Sequence, residues 1–145
     1  MNIRVASPTD WDAIVALLQS ASLPVADLTP TSTSLFAVCE RENGIVGAIA
    51  LEPRDEASAM IRSLVVAPEL RRSGIGVALT EAIESQAIDR GIHVLYLLTD
   101  SAEKFFANRG FARIDRALAP VSISSHPQFR SLCPASAAFM CKVLN

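Results

Sequence analysis

In the N-terminal part of the chain, a short apolar segment is followed by a segment whose hydrophobic residues recur with the period of a helix. Residues 2–6 are predicted to form a strand. Ser7-Pro8-Thr9-Asp10 follows and is typical of a helix start, with the serine as cap, the proline in the first turn and the aspartate near the positive end of the dipole. The apolar face of the predicted helix, which extends to about residue 21, consists of Trp11, Ile14, Val15, Leu17 and Leu18.

The next segment predicts a loop and a three-stranded meander. Residues 22–33 hold two prolines and several Ser/Thr residues without periodicity, so they are predicted to be a surface loop. Strand-like runs at residues 34–40 and 45–53 flank Arg41-Glu42-Asn43-Gly44, whose Asn-Gly pair favours a hairpin turn. After a polar turn, residues 59–66 are predicted to be the third strand.

Beyond residue 68 the hydrophobic period changes to that of a helix. A long helix is predicted over residues 75–90, with Gly91 as its C-terminal cap. Residues 94–98 are continuously apolar, which is expected of a strand covered on both faces. A short helix (102–109), a strand (111–115), one helical turn (121–125) and a terminal strand (136–143) complete the pattern. It predicts an α/β fold in which helices flank a mixed sheet.

Composition and charge narrow the class of protein. The 145 residues suit a single domain, residues 1–145, and half of them are hydrophobic. The 13 basic and 15 acidic residues are scattered and give a net charge of −2, which argues against binding nucleic acid through a basic face. No apolar run is long enough for a bilayer and no signal peptide is evident, so we expect a cytoplasmic protein without a membrane partner. The three cysteines are widely spaced, so we expect reduced thiols and no metal.

The clearest chemical pattern lies in the loop that leads into the long helix. This loop carries Arg71, Arg72, Gly74 and Gly76. The first turn of a helix leaves N–H groups unpaired and its dipole favours an anion, while glycines let an anion approach the backbone. The pattern predicts a pyrophosphate site, although a glycine-tolerant turn with solvated arginines is the alternative. A Walker loop is excluded because the segment has no lysine. A dinucleotide fingerprint, GxGxxG, is also excluded, because Leu79 occupies the position of its third glycine.

The same loop resembles motif A of the GNAT (Gcn5-related) N-acetyltransferase superfamily, Gln/Arg-x-x-Gly-x-Gly/Ala after a central strand. Arg71, Gly74 and Gly76 occupy the motif positions, and Leu64-Val65-Val66 is similar to the preceding strand end. The family's second cofactor-binding element consists of a strand, a helix and a Gly-Phe closure. It is similar to three short segments of this chain, Leu97-Leu98-Thr99, Phe105-Phe106 and Gly110-Phe111. Within the superfamily the chain looks most like amino-acid acetyltransferases and the N-acetyltransferases found with arsenic-resistance genes, the latter partly through residues 131–137.

The resemblance implies a GNAT fold that binds acetyl-CoA where two parallel strands splay apart, here the ends of 59–66 and 94–98. It implies that the backbone of Leu64 and Val66 hydrogen-bonds the pantetheine arm, and that the Val66 N–H stabilises the oxyanion. The cofactor-binding residues that it implies are Leu64, Val65, Val66, Arg71, Arg72, Ser73, Gly74, Ile75, Gly76, Val77, Ser101 and Phe105.

The acceptor side leaves alternatives open. Arg62 is either a clamp for a substrate carboxylate, as matched to the amino-acid branch, or a structural partner of Glu52 or Asp100. Thr99 is also predicted to bind the substrate. Four residues are candidate bases, but another role is favoured for each. Glu40 and Glu52 are expected to be solvated strand-end carboxylates, and His93 and His126 are expected to have ordinary surface or core roles. For Cys133 a packing role is favoured over a thiol ligand for arsenic.

One position departs from the family pattern. Phe106 stands where many members carry the tyrosine that protonates the leaving thiolate, and the single tyrosine, Tyr96, lies on a predicted strand. The proton would then come from water or from Ser101, Thr99 or Cys133.

Three functional hypotheses follow. The first is an enzyme that transfers acetyl from acetyl-CoA to a primary amine of a small amino-acid-like acceptor, by direct attack in a ternary complex. The second is a non-catalytic acyl-CoA-binding module, suggested by Phe106. The third is a general nucleotide-phosphate binder. A homodimer is compatible with the resemblance.

Overall fold

The computed structural model describes residues 2–42, 44–132 and 136–144. Its strands are β1 Asn2–Val5, β2 Phe36–Arg41, β3 Gly44–Pro53, β4 Ser58–Val66, β5 Val94–Thr99, β6 Ala112–Arg113 and β7 Ala138–Val143. Its α-helices are α1 Trp11–Ser20, α2 Ile75–Asp89, α3 Glu103–Asn108 and α4 Val121–Ser124. Short 3-10 helices lie at Pro8–Asp10, Pro30–Leu35, Pro68–Leu70 and Arg116–Leu118, and a π-helical turn lies at Gln128–Leu132. Within these described ranges, no helix has the length and hydropathy needed to cross a membrane.

The strands form a mixed seven-stranded sheet in the order β1-β2-β3-β4-β5-β7-β6. The β1–β2 and β2–β3 pairs are antiparallel. β4 and β5 are parallel and pair residues 58–60 with residues 94–96. A parallel pair needs a long crossover, and α2 lies in the segment that supplies it. The predicted α/β class, with helices beside a mixed sheet, is confirmed.

The chain divides into two compact units. The first comprises Met1–Leu51 and Ser63–Gln86, and the second comprises Glu52–Arg62 and Ala87–Asn145. β4 therefore contributes its first five residues to the second unit and its last four to the first. The expectation of one domain over residues 1–145 stays a prediction.

The first unit has a core in which α1 packs on one face of its strands. Ile14 and Leu18, one helical turn apart, are fully buried there. Their cluster is completed by Phe36, Val38, Ala48, Ala50 and Val65. Because Ile14 and Leu18 recur at a spacing of four, the helical period predicted from the sequence is the one that positions this core.

The second unit has an aromatic core. Tyr96 stacks on Phe139 with ring centroids 5.7 Å apart, and Phe129 meets Phe139 edge-to-face at 5.2 Å. Phe106 of α3 packs edge-to-face on Phe111 at 5.5 Å. Such pairs stabilise beyond the area that they bury, so these five rings contribute to the stability of the unit.

Several predicted elements differ from the observed ones near polar side chains. The helix expected to start at Pro8 begins as a 3-10 turn, and α1 itself starts at Trp11. Ser7 is the N-cap of this turn, as predicted, and Asp10 completes a capping box in which its carboxylate accepts the Ser7 N–H at 2.8 Å. Arg4 also donates to Asp10, at 2.8 Å.

Other boundaries were set too widely or too narrowly by the sequence pattern. The end of the predicted loop at 22–33 belongs to the 3-10 helix Pro30–Leu35, in which the Thr33 hydroxyl donates to the Pro30 carbonyl at 2.6 Å. The strand predicted over 111–115 is only two residues long. β5 alternates buried and half-buried residues along most of its length, and its half-buried Tyr96 and Leu98 pack against the cluster of Met60, Ile123 and Phe139, so both of its faces are covered as predicted. The predicted hairpin turn includes Asn43, which lies outside the described residues.

Candidate active site

The loop before α2 is exposed and has the backbone of a tight turn. Arg71, Arg72, Ser73 and Gly74 are all exposed. Two of these residues adopt positive φ, +66° at Arg72 and +90° at Gly74. The second value suits glycine, because a side chain there would be strained even though the space around a Cβ is open. The Ser73 hydroxyl donates to the Leu70 carbonyl and closes the turn.

The start of α2 presents backbone donors beside this loop. The first helical hydrogen bond runs from the Ala78 N–H to the Gly74 carbonyl at 3.0 Å. The N–H groups of Ile75, Gly76 and Val77 precede that bond and have no acceptor within the helix. With the positive end of the helix dipole and two exposed arginines, they form an environment that favours a phosphate or diphosphate. The structure thus places the predicted motif residues together on one loop.

The start of α2 lies in close contact with the backbone of β3. Ile75 and Leu79 are fully buried. A Cβ on Gly47 of β3 would lie 3.0 Å from the Ile75 Cγ2 atom and 3.0 Å from the Leu79 Cδ1 atom. Only glycine fits at this contact without displacing a neighbour. The first residue of α2 therefore rests directly on the β3 backbone.

The last three residues of β4 follow a break in the strand geometry. Ser63 is buried and has a φ of +61°, which is unusual for a residue within a strand. After it, Leu64 and Val66 are half-buried while Val65 is buried on the α1 side. The predicted pantetheine contacts, Leu64 and Val66, thus share the face of β4 opposite to Val65.

The second unit contains a buried cluster of charged and polar side chains around Glu52. The Arg62 Nη1 atom donates to Glu52 Oε1 at 3.2 Å. The other carboxylate oxygen, Oε2, lies 3.0 Å from His126 Nε2. The Arg62 side chain has no exposed area and that of His126 is 1% exposed, whereas that of Glu52 is 16% exposed. Of the two alternatives for Arg62, the structure shows the pairing with Glu52; its role as a carboxylate clamp stays a prediction.

A backbone donor determines which nitrogen of His126 carries the hydrogen. The Gln128 N–H donates to His126 Nδ1 at 3.0 Å, so Nδ1 is an acceptor. The hydrogen of the neutral ring is then on Nε2, which donates it to Glu52. Because both ring nitrogens are engaged and the ring is buried, His126 holds the carboxylate in place and has no free lone pair with which to act as a base.

The Glu52 carboxylate is kept ionised by its neighbours. Burial raises the pKa of Glu52, but the hydrogen bond from His126 and the charge and hydrogen bond of Arg62 together outweigh it, and the pKa is lowered below its ordinary value. The contribution of this carboxylate to stability is therefore present above the ordinary pKa of a glutamate and is lost as the pH falls.

The turn between β3 and β4 fastens the segment that carries His126. The Arg54 Nε atom donates to the Ser122 carbonyl at 2.8 Å, and the Ser122 hydroxyl donates to the Asp55 carboxylate at 2.7 Å. Ser122 lies in α4, four residues before His126. These bonds hold α4 against the same turn that presents Glu52.

The remaining predicted site residues lie at the end of β5 and on α3. The Thr99 hydroxyl oxygen accepts the Ala102 N–H at 2.9 Å, and Ser101 is exposed. Phe105 is half-buried against Phe106, with ring centroids 5.2 Å apart. Phe106 is 4% exposed, so the residue in the family's tyrosine position is a packing residue here. The assignments of Ser101, Phe105 and Thr99 to cofactor and substrate stay predictions.

The candidate bases have different surroundings from those expected. The expectation that Glu52 is a solvated strand-end carboxylate is wrong, since it bonds Arg62 and His126. Glu40 accepts from Arg4 at 3.1 Å, and His93 is exposed. Cys133 lies outside the described residues.

Sequence reasoning missed the role of His126 as a partner of Glu52. The two are 74 residues apart in sequence, and the segment from 120 to 134 showed no clear periodicity. The signal in the sequence was weak, since only Val121 and Ile123, on either side of a serine, precede the histidine.

Comparisons with known proteins agree with this architecture. The amino-acid acetyltransferase of Pseudomonas putida (strain GB-1) is 41% identical over 78 residues, which is 53% of this chain and 18% of that protein. That of Pseudomonas syringae pv. syringae is 40% identical over 84 residues, 56% of this chain and 19% of the relative. The chain thus matches less than a fifth of the length of these curated relatives.

Solved structures share the fold. N-acetylglutamate synthase from Neisseria gonorrhoeae, complexed with coenzyme A and N-acetyl-glutamate, has a TM-score of 0.86 at 22% identity, covering 99% of this chain and 35% of that one. Rv2747 from Mycobacterium tuberculosis, in complex with CoA and NLQ, has a TM-score of 0.85 at 22% identity, covering 100% of both chains.

Family membership rests on the part of the chain that contains the loop and α2. Residues 32–113, more than half of the 145, match the family described as Acetyltransferase (GNAT) domain. That range includes the motif residues Arg71, Gly74 and Gly76 and the strand that precedes them. The chain therefore belongs to the GNAT acetyltransferase family.

Proposed function

We propose that this protein transfers acetyl from acetyl-CoA to the primary amine of a small amino-acid-like acceptor. The observation that carries the proposal is the exposed loop at the start of α2, where N–H groups without helical acceptors lie beside Arg71 and Arg72. Its membership of the GNAT family and its similarity to amino-acid acetyltransferases support the same activity.

Each part of the loop has a separate role in the proposed binding of acetyl-CoA. The N–H groups of residues 75–77 bind the diphosphate, and the arginines compensate its charge. The positive φ of Gly74 lets the chain turn into the helix beside the anion. Acetyl-CoA supplies the activated acetyl thioester that an amine attacks. No metal is part of this proposal.

The chain's contribution to the reaction is to position and stabilise. The Val66 N–H is proposed to donate to the carbonyl oxygen on which negative charge develops, an interaction typically worth about 3 kcal/mol. In direct attack the ammonium of the acceptor first loses a proton to water. The neutral amine then forms the new C–N bond and the C–S bond to coenzyme A breaks, so no nucleophilic side chain is needed. Because Phe106 cannot donate a proton, the proton for the leaving thiolate comes from water or from a hydroxyl such as that of Ser101 or Thr99.

The activity is tested by measuring thiol release and the acetylated product with a panel of amines. The panel consists of the common L-amino acids, phosphinothricin-like amino acids and simple alkylamines, each with acetyl-CoA. Thiol release that depends on an amine, with the matching product by mass spectrometry, is the expected result. No product from any amine would contradict the proposal.

A variant pair connects the activity to the loop. Arg71→Ala should raise the KM for acetyl-CoA, because it removes charge beside the diphosphate. Arg41→Ala is the matched control, since Arg41 is also exposed but ends β2. Equal effects of the two substitutions would remove the loop from the proposed site.

One observation favours a second candidate, a non-catalytic acyl-CoA-binding module. Phe106 is buried among aromatic rings and supplies no acid. Tight binding of acetyl-CoA by calorimetry, without turnover of any amine, would establish the module. Equal thermal stabilisation by ATP, NAD and acetyl-CoA would instead indicate a general phosphate binder. A homodimer and a cytoplasmic location remain predictions from the sequence.

A further inference from the structure

The three side chains of the cluster, Glu52, Arg62 and His126, differ in how much of each is exposed to solvent. The side chains of Arg62 and His126 are 0% and 1% exposed, and that of Glu52 is 16% exposed. A partner molecule that reaches this cluster therefore meets a carboxylate first. This is the reverse of the charge expected if Arg62 were the group offered to an acceptor.

The hydrogen bonds that Glu52 accepts from Arg62 and His126, among the described residues, leave it able to accept further ones. Oε1 accepts Arg62 Nη1 at 3.2 Å and Oε2 accepts His126 Nε2 at 3.0 Å. Each carboxylate oxygen has two lone pairs, so the group has acceptor capacity beyond these two bonds. One donor on each oxygen also fixes the orientation of the carboxylate plane, which reduces the entropy lost when a ligand binds.

We propose that Glu52 is the acceptor-binding residue of this protein and that it contacts the ammonium group of the incoming amine. The ligand class is a primary ammonium, with or without a carboxylate of its own. This inference rests on the proposed acetyl transfer and adds the residue that selects for a cationic acceptor. Arg62 and His126 are positioning residues, because they act through Glu52.

The surroundings of Glu52 favour binding of the ammonium over removal of its proton. Neighbouring donors hold the pKa of Glu52 below its ordinary value, which makes the carboxylate a weak base. An ionised carboxylate is at the same time a suitable partner for a cation. The expected signature of Glu52 is therefore an effect on the KM for the amine, with a smaller effect on kcat.

The first experiment compares Glu52→Gln with Glu56→Gln. Glu56 is exposed in the same turn, so its substitution changes the net charge equally without touching the cluster. The probes are L-alanine and L-alaninamide, followed by the other amino acids of the panel and their α-amides. Glu52→Gln should raise the KM for both members of a pair by about 10- to 100-fold, the usual effect of losing a charge-assisted hydrogen bond. Glu56→Gln should leave it within about twofold.

The paired probes separate Glu52 from Arg62. If Arg62 binds the acceptor carboxylate instead, Glu52→Gln should raise the KM for the amino acid. It should not raise the KM for the α-amide, which has no carboxylate. That pattern, or a lower kcat with an unchanged KM for the amine, overturns the proposal. If the wild-type protein acetylates no amine, both the proposed function and this inference fail. Wild-type turnover with an unaltered KM in Glu52→Gln overturns this inference alone.

Two further measurements apply even where Glu52→Gln folds poorly, which thermal unfolding with and without acetyl-CoA would show. Glu52→Asp keeps the charge but withdraws the carboxylate by one methylene group, so an intermediate rise in the KM for the amine is expected. With the wild-type protein, propionate has the carbon skeleton and carboxylate of L-alanine but no ammonium. Its inhibition constant against L-alanine should be at least about tenfold higher than the Kd of L-alanine. Equal competition contradicts the assignment.

Discussion

Gly47→Ala is the substitution whose effect can be worked out most directly from the structure. An added Cβ would lie 3.0 Å from Ile75 Cγ2, 3.0 Å from Leu79 Cδ1 and 3.3 Å from the Val65 carbonyl oxygen. Ordinary carbon–carbon contacts are about 3.5–4.0 Å, so the side chains of Ile75 and Leu79 have to give by a few tenths of an ångström. Overpacking of this kind typically destabilises by about 1–3 kcal/mol, which for a chain of this size lowers Tm by about 2–12 °C.

The displacement falls on the first residue of α2, so it should also reach the proposed cofactor site. We expect the Kd for CoA, measured by calorimetry, to rise about 2- to 10-fold, as if one hydrogen bond were weakened. Ala48→Val is the matched control, because Ala48 is the next residue of β3 and packs with Ile14 and Leu18 of α1. The control should lower Tm without changing the Kd for CoA.

Two results would refute this reasoning. An unchanged Kd for CoA in a destabilised Gly47→Ala protein would show that the start of α2 does not set cofactor affinity. Equal weakening of CoA binding by Ala48→Val would show that the effect comes from general loss of stability.

Further predictions concern a turn, a buried ring and an ion pair. Gly74→Ala forces a side chain into a φ of +90°, so it should destabilise by about 1 kcal/mol in thermal unfolding and weaken CoA binding by calorimetry; full retention of both would contradict a role for the glycine. His126→Ala removes the donor to Glu52 Oε2, so the pKa of Glu52, followed by carbon-13 NMR of its carboxyl, should rise, and a fall would contradict the hydrogen bond. The guanidinium of Arg4 holds the pKa of Asp10 at about 2, against 3.8 for an ordinary aspartate, so Asp10 stabilises the fold above pH 3.8 and loses this effect as the pH falls towards 2. Asp10→Asn should be less stable than the wild type at pH 6, with the difference shrinking towards pH 2; a constant difference would contradict the ion pair.

The local patterns of the chain predicted the loop at residues 71–74 and the start of α2 well. The glycines and arginines of residues 71–76 lie within six residues of one another, and the helix that follows has a regular apolar period. Such features depend on the backbone and on neighbours in sequence, so they can be read without knowing the fold. The match of the observed α2, Ile75–Asp89, to the predicted helix over 75–90 illustrates this.

The cluster around Glu52 could not be predicted in the same way, because it depends on contacts between distant segments. The Glu52–His126 hydrogen bond joins residues 74 positions apart, and the Gln128 N–H that selects the tautomer belongs to a segment without periodicity. The tight contact of Gly47 with Ile75 and Leu79 is equally invisible in sequence, where Gly47 only interrupts an apolar run. Pairing of buried charges is decided by tertiary packing rather than by local pattern.

The left-handed backbone at Ser63 has a practical consequence for engineering β4. Substitutions at residues 58–62 report on the second unit and those at residues 64–66 on the first, so a mutational scan along this one strand samples two environments. At the break itself, glycine or asparagine should be accepted more readily than valine or isoleucine, because branching at Cβ disfavours positive φ. A library that treats β4 as one uniform strand would discard useful variants at the single position where the ordinary preference for β-branched residues is reversed.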